Sequence, residues 1–400
     1  MRTRPPRILF YSHDTFGLGH IRRTRTLAMA LADAHPGASV LILTGSPLVG
    51  RFDFPHGIDF VRIPGVVKLP TGAYATHNMG LDIAETVDLR RSLIRQTARV
   101  FDPDLMIVDK EPTGFRREVL WALKKVRERG ARVVLGVRDV LDEPVALAEE
   151  WRRKKAVEAV ERYYDDIWVY GLEQMHDPLE NLPLSPGARE KVRFTGYLRR
   201  EAPEDWPPSS EVAERAPGYV LVTPGGGGDG ETLIDWVLRA YESVHAPRVP
   251  LVVVFGPFLS PERRAAFEQR ARKLPQVTCL SFVSRLEQLM QRARGVVAMG
   301  GYNTFCEILS FDKPAVIVPR RTPRLEQAIR AEAAARLGLM RMLEPDGETP
   351  AAEPMIEAIQ GLATQPAPSA SAPPGLLDGL ERVVELAGEA LGAERARRAS

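Results

Sequence analysis

Short apolar runs alternate with longer amphipathic segments along most of this chain. In its first half the runs are Ile8–Tyr11, Val40–Leu43, Leu105–Val108, Val133–Val137 and Ile167–Tyr170. Runs this short and this uniformly apolar predict strands buried on both faces of a parallel sheet. Helical patterns such as Arg22–Ala34 and Arg116–Arg129 lie between most of them. The alternation restarts in the second half, with runs at Tyr219–Thr223, Leu251–Phe255, Val277–Leu280, Val296–Met299 and Ala315–Val318. The pattern predicts an α/β chain built from two doubly wound, Rossmann-like domains facing across a cleft, with ligands at the carboxyl ends of the strands.

The segment between the two halves, Arg199 to Pro217, is polar and proline-rich and breaks both helix and strand. The expected organisation is therefore an N-terminal domain over 1–198, a linker over 199–217 and a C-terminal domain over 218–362. A flexible tether rich in Ala, Pro and Ser follows over 363–375, then an amphipathic helix over 376–400 that returns to the N-terminal domain. A length of 400 residues suits two cores rather than one. The long segment Val66–Asn78 reads as irregular, a candidate acceptor loop or an insertion.

Composition narrows the function classes. A formal net charge of +2 gives no reason to expect nucleic acid. Cys279 and Cys306 make neither a disulfide framework nor a metal cluster, which suits a reducing cytoplasm. The N-terminus lacks a signal-peptide core, and no run of about 18 apolar residues occurs. Peripheral contact with the inner membrane face stays open. Arg91, Arg95 and Arg99 on one helix face, and the basic cluster beside Trp151, fit either that contact or a solvated surface.

Three loops carry candidate chemistry. The first, Ser12 to His20, follows the first strand; Gly17 and Gly19 permit a tight turn, and His13, Asp14 and His20 gather at a ligand edge. Arg22 stands where a dinucleotide fingerprint needs its third glycine, so that reading is weak. A histidine there suits general-base work, because imidazole titrates near neutrality; the bland alternative is capping or stapling the loop. The second loop holds Gly225, Gly226, Gly227 and Gly228 at a strand–helix junction, where freed N–H groups can cradle an anion. No Gly-Lys-Ser/Thr follows, which argues against an ATPase. The third combines Gly300, Gly301, Asn303, Thr304 and Glu307 with Arg320, Glu326 and Gln327 downstream. Glycines let a backbone approach a diphosphate, and Glu307 could accept from two ribose hydroxyls. Thr304 and Glu307 also match a capping box, in which Glu307 would only satisfy a helix end. Asp109, Lys110, Glu111 and Pro112 close one strand, and the stretch from Arg138 and Asp139 to Asp142 another, as acceptor-side candidates or simple ion pairs.

These motifs resemble the GT-B glycosyltransferases. The chain is most similar to glycosyltransferase family 28, which includes the lipid-linked N-acetylglucosaminyltransferase of peptidoglycan synthesis. It also looks like an uncharacterised bacterial group of family-28-like transferases. Gly19-His20 matches that family's first glycine loop, Gly225–Gly228 its second, and Phe282-Val283 the pair that meets uracil. Gly300, Gly301, Thr304 and Glu307 match the ribose-binding loop and helix. Glu326-Gln327 stands in place of a Gln-Gln pair that reads the donor sugar. The resemblance implies an inverting, metal-independent hexosyl transfer, without a cofactor, from a UDP-sugar to an acceptor hydroxyl. The acceptor would be a glycan, a lipid-linked molecule or a small molecule. It further implies a base at His20, with Asp14 and His13 next, and a diphosphate held by the glycine loops. A UDP-sugar 2-epimerase of the same fold, or a nucleotide-sugar-binding protein without turnover, are the competing expectations.

Overall fold

A computed structural model describes residues 4–13, 19–68, 73–202, 217–226, 228–281, 283, 286–347 and 349–399. Asp14, Gly227 and Phe282 lie outside the described residues, as does most of the 199–217 linker. The chain forms two compact units, Met1–Leu198 with Asp378–Ser400 and Arg199–Leu377.

The first unit runs β1 (Arg7–Ser12), α1 (Gly19–Ala34), β2 (Ser39–Thr44), β3 (Ile58–Arg62), β4 (Val66–Lys68), β5 (Tyr74–Thr76), α2 (Ile83–Phe101) and β6 (Leu105–Asp109). It continues through α3 (Leu120–Glu128), β7 (Arg132–Arg138), α4 (Pro144–Lys154), α5 (Ala156–Tyr163), β8 (Asp166–Tyr170), α6 (Pro186–Arg189) and β9 (Val192–Phe194). Seven parallel strands make one sheet in the order β3-β2-β1-β6-β7-β8-β9. Side chains alternate between the two faces of each strand. Leu9, Met106, Val108, Leu135 and Val169 enter one core with Ile94, Leu123 and Val160 from α2, α3 and α5. The chain winds outward from β1 to β3, then returns to place β6 on the other side of β1. The switch point between β1 and β6 is where such a sheet opens a crevice for a ligand.

The second unit runs β10 (Val220–Thr223), α7 (Glu231–Glu242), β11 (Leu251–Val254), α8 (Pro261–Ala271), β12 (Val277–Leu280), α9 (Leu286–Arg292), β13 (Gly295–Ala298) and α10 (Tyr302–Ser310). Then come β14 (Ala315–Ile317), α11 (Glu326–Arg336), β15 (Arg341–Met342) and α12 (Glu353–Gly361). Its six parallel strands follow the order β12-β11-β10-β13-β14-β15, with the switch point between β10 and β13. The last helix, α13 (Gly379–Ala399), belongs to the first unit. Its entry is fixed there by the Leu198–Asp378 bridge and by the Gly379 N–H donating to Tyr197 O at 3.2 Å. A Cβ at Gly379 would fall 2.6 Å from the carbonyl oxygens of Gly196 and Tyr197, so only glycine allows this close approach.

Three expectations need correction. The helix expected over Arg116–Arg129 begins only at Leu120, because Phe115–Arg117 is a 3₁₀ turn with Arg116 and Arg117 at φ 47° and 64°. Part of the segment expected to be irregular pairs as the antiparallel hairpin of β4 and β5, whose Tyr74 packs edge-on against Phe115 at 4.8 Å. The stretch expected as a flexible tether is bonded to the second unit. Gln365 Nε2 donates to Ala315 O at 2.9 Å, and Ser369 donates through N and Oγ to Asp312 at 2.8 and 2.7 Å.

Candidate functional site

In the first unit, the strand order brings the end of β6 beside the end of β1 and the first turn of α1. Asp109, the last residue of β6, accepts from Arg23 Nε and Nη2 at 2.9 and 2.5 Å on one oxygen, while its other oxygen meets His20 Nδ1. Burial alone would raise the Asp109 carboxyl, but Arg23 and then His20 outweigh it and hold it well below the usual range. Asp109 is therefore a carboxylate that fixes the Nδ1–H tautomer of His20 and leaves Nε2 with its lone pair. Burial depresses His20 to about 4, against the pull of Asp109. Arg23 matches part of the Asp109 charge and itself lowers His20, so the pull of Asp109 does not overcome burial and the imidazole rests neutral. His13 is buried, its ring 6.0 Å from that of His20. Burial, followed by the charges of His20 and Lys110, lowers it well below the usual range.

A second buried group braces the segment that follows β6. Tyr11 OH donates to Glu118 Oε1 at 2.6 Å and accepts from the Phe115 N–H at 3.2 Å. Arg90 Nε and Nη2 donate to Glu118 Oε2 and Oε1 at 2.8 and 2.6 Å. Between Asp109 and Glu118, the non-glycine residues Lys110, Arg116 and Arg117 all have positive φ. Such strain persists only where surroundings over-determine the backbone, as they do here. Glu111 is buried against Lys154, and burial, partly offset by Lys154, raises its carboxyl. Arg138 ends β7, half-buried. Asp139 is fully buried and accepts from Tyr197 OH and the Val140 N–H, both at 2.8 Å. It is thus structural material inside the unit rather than a group presented to an acceptor.

The neutral state of His20 has a consequence for stability. The unfolded chain takes up its proton near pH 6.5, the folded one only near pH 4, so the unfolded state binds more protons in between. Stability is expected to be full above about pH 6.5 and to fall as pH drops towards about 4. Urea denaturation across this range should show a shallower decline in His20→Gln, with His13 supplying part of the slope that remains. Identical slopes in the two proteins would contradict the assignment.

In the second unit, both glycine loops flank the β10/β13 switch point. Gly225, at φ 84°, donates to Thr223 Oγ1 at 3.3 Å, and the Phe258 N–H donates to Gly226 O at 3.0 Å. Gly228 lies in the same turn, just before Gly230, the N-cap of α7. Gly300, at φ 78°, leads into Gly301, the N-cap of α10. A Cβ on Gly300 would lie 2.8 Å from Ile317 Cγ2, so only glycine makes this turn. Neither Gly230 nor Gly301 offers a side-chain acceptor to its helix. Two helix N-termini with their positive dipole ends thus stand at the carboxyl edge of the sheet.

This settles the capping-box alternative. The N-cap of α10 is Gly301, Thr304 lies inside the helix, and Glu307 is a full turn past the end, with no exposed surface. Glu326 and Gln327 open α11, where they accept from Arg320 Nη2 and N at 2.7 and 3.0 Å. Val283 follows β12 and is half-buried. Two further cations support the loops: Arg200 Nη2 donates to Asn303 Oδ1 at 2.8 Å, and Arg330 Nη1 to Gly300 O at 2.9 Å. Sequence reasoning placed Asp109 among the acceptor-side candidates but missed its pairing with His20, and it missed Arg200 and Arg330 altogether. Only Asp109 carried a signal, as an acid ending a strand at the ligand edge.

Residues 220–372 match the glycosyltransferase family 28 C-terminal domain. An uncharacterised glycosyltransferase of Methanosarcina acetivorans is 28% identical over 164 residues, which cover 41% of this chain and 40% of that protein. The chain thus spans well under half the length of the curated relative it matches. Among solved structures, MurG of Acinetobacter baumannii superposes with a TM-score of 0.59 at 16% identity, over 96% of this chain and 100% of that one. A UDP-glucosyltransferase of Polygonum tinctorium that glucosylates indoxyl gives 0.63 at 15% identity, over 98% and 100%. The chain thus has the GT-B fold of those solved structures, and its residues 220–372 are similar to the family 28 C-terminal domain.

Proposed function

We propose that this protein transfers a hexose-type sugar from a nucleotide-sugar, a UDP-sugar first of all, to an acceptor hydroxyl with inversion. The observation that carries the reading is the pair of glycine loops opening two helix N-termini at one switch point, inside the segment that matches the family 28 domain. Backbone N–H groups and positive dipole ends there suit a diphosphate. That Polygonum tinctorium protein is a UDP-glucosyltransferase, which supports uridine as the nucleoside.

In the proposed reaction, His20 Nε2 takes the proton of the acceptor hydroxyl, with Asp109 stabilising the imidazolium through Nδ1–H. The freed oxygen pair forms a bond to the anomeric carbon from the face opposite the diphosphate. The anomeric C–O bond breaks, and its electrons leave on the nucleoside diphosphate. Charge grows on that leaving group, and the N–H groups around Gly225–Gly228 and Gly300–Gly301 would stabilise it. Glu307 would take the ribose hydroxyls, and Glu326 with Gln327 the sugar. The acceptor-side residues in this reading are Lys110, whose charge acts on His20, together with Glu111 and Arg138. The reaction calls on no cofactor, and a peripheral association with the inner face of the cytoplasmic membrane would suit a lipid-linked acceptor. Among the described residues, no helix is long and apolar enough to cross a membrane.

Calorimetry with UDP and a panel of UDP-sugars tests the donor site. Binding in the micromolar range is expected, weakened about tenfold or more in Glu307→Ala, since each lost charge-assisted pair is worth about 1.5–3 kcal/mol. Unchanged affinity in that variant would remove Glu307 from the ribose site. Failure of every nucleoside diphosphate to bind would overturn the donor reading. An epimerised sugar formed without acceptor would reassign the reaction to a 2-epimerase.

A further inference from the structure

The loop between β14 and α11 carries three arginines, Arg320, Arg321 and Arg324. Arg321 is spent on Glu332 and Glu344 at the surface. Arg320 instead joins two elements of the candidate donor site. Its Nε lies 2.7 Å from Asp229 Oδ2 in the glycine loop, and its Nη2 lies 2.7 Å from Glu326 Oε1 on the first turn of α11. Its main-chain N–H is held by Gln327 Oε1.

The two acid partners are not equivalent. The Glu326 side chain is 8% exposed and fixed on a helix, whereas that of Asp229 is 47% exposed and sits on a turn. Asp229 also stands directly before Gly230, the N-cap of α7, where a helix N-terminus and the glycine loop favour an anion. Asp229 therefore puts a carboxylate near the place where the surrounding backbone suits an anionic ligand.

We propose that Asp229 is a stand-in for the ligand's phosphate: it occupies Arg320 until a nucleoside diphosphate arrives, and Arg320 then passes from Asp229 to a diphosphate oxygen. This rests on the donor-site reading above and adds to it a positioning residue and its counter-charge. Glu326 and the Gln327 anchor keep the guanidinium in place during the exchange. The Asp229 contact is the one that yields, because half-exposed ion pairs contribute little net stability. A diphosphate offers more charge and better fork geometry to a guanidinium than one carboxylate oxygen does. Asp229 would then return as the product diphosphate departs, which favours release.

Calorimetry with UDP, UMP and uridine tests this in the full chain. Asp229→Asn is expected to bind UDP about three- to tenfold more tightly at low ionic strength, a gain that salt erodes. The gain should shrink with UMP and vanish with uridine. Arg320→Met should weaken UDP about tenfold, and in the double variant the benefit of Asp229→Asn should disappear, as coupled residues require. If the wild type binds UDP but Asp229→Asn binds it equally or more weakly, or gains as much with uridine, the exchange is wrong while the donor site stands. If the wild type binds neither UDP nor any other nucleoside diphosphate, the donor site falls and the exchange with it.

Discussion

Replacing His20 by alanine is expected to lower turnover about 10²- to 10⁴-fold while UDP affinity stays unchanged, the signature of a lost general base. The size follows from what the side chain holds. His20 is kept neutral by burial, with a depressed pKa of about 4, and its Nδ1–H is committed to Asp109. Nε2 is thus a free base throughout the neutral range. Asp109→Asn tests the other half of the pair. The carboxylate that selects the tautomer and stabilises the imidazolium is gone, so turnover should fall steeply although the imidazole is present. Arg23 would lose its counter-ion in that variant, and its side chain is 1% exposed, so the fold must be checked by unfolding alongside the assay. A wild-type profile of kcat/KM that declines only as pH approaches about 4–5 belongs to the same assignment. Near-full turnover in His20→Ala would end it.

The strands and glycine loops were legible because their signals are local. An apolar run of four residues reports its own burial, and a glycine run reports a turn that other residues cannot make. The pairing of His20 with Asp109 was not legible, since the two are 89 residues apart. The alternation of elements announces a doubly wound sheet but not that β6, rather than β3, lies beside β1. That order decides which acid faces the histidine. Arg200 and Asn303, 103 residues apart, were hidden for the same reason. Local pattern misled in two places. Thr304-x-x-Glu307 has the spacing of a capping box, yet the helix starts earlier at Gly301, because a glycine turn needs no side chain to begin a helix. The Ala, Pro and Ser content of 363–375 suggested a free tether, whereas Gln365 and Ser369 find partners on the second unit that composition does not reveal. The strained backbone at Arg116 and Arg117 could not be read at all, because its cause is a buried network remote in sequence.

That network sets the largest expected effect on stability. Glu118→Ala should cost about 3–5 kcal/mol in urea unfolding, the range for removing one partner of a buried ion pair. Arg90 has a relative exposure of 1% and Glu118 likewise 1%, so no water is at hand to replace the lost carboxylate. Burial acts to strip the proton from Arg90, and the bonds to Glu118 more than reverse this; without them the cation is stranded. Tyr11 OH would lose its acceptor in the same step. Removing both charges is the informative control. Arg90→Met with Glu118→Leu should recover most of the loss, since the cost lies in an unpaired buried charge rather than in the absence of a pair. The double variant should nonetheless lose turnover, because Tyr11 stands 3.5 Å from His13 Nδ1 and holds the Phe115 N–H. With its partner gone, the backbone from Asp109 to Glu118 is free to relax from its positive-φ turns and carry the histidine pair out of register. A loss below about 1 kcal/mol in Glu118→Ala would place the network among surface-like pairs and remove it as the brace of that loop.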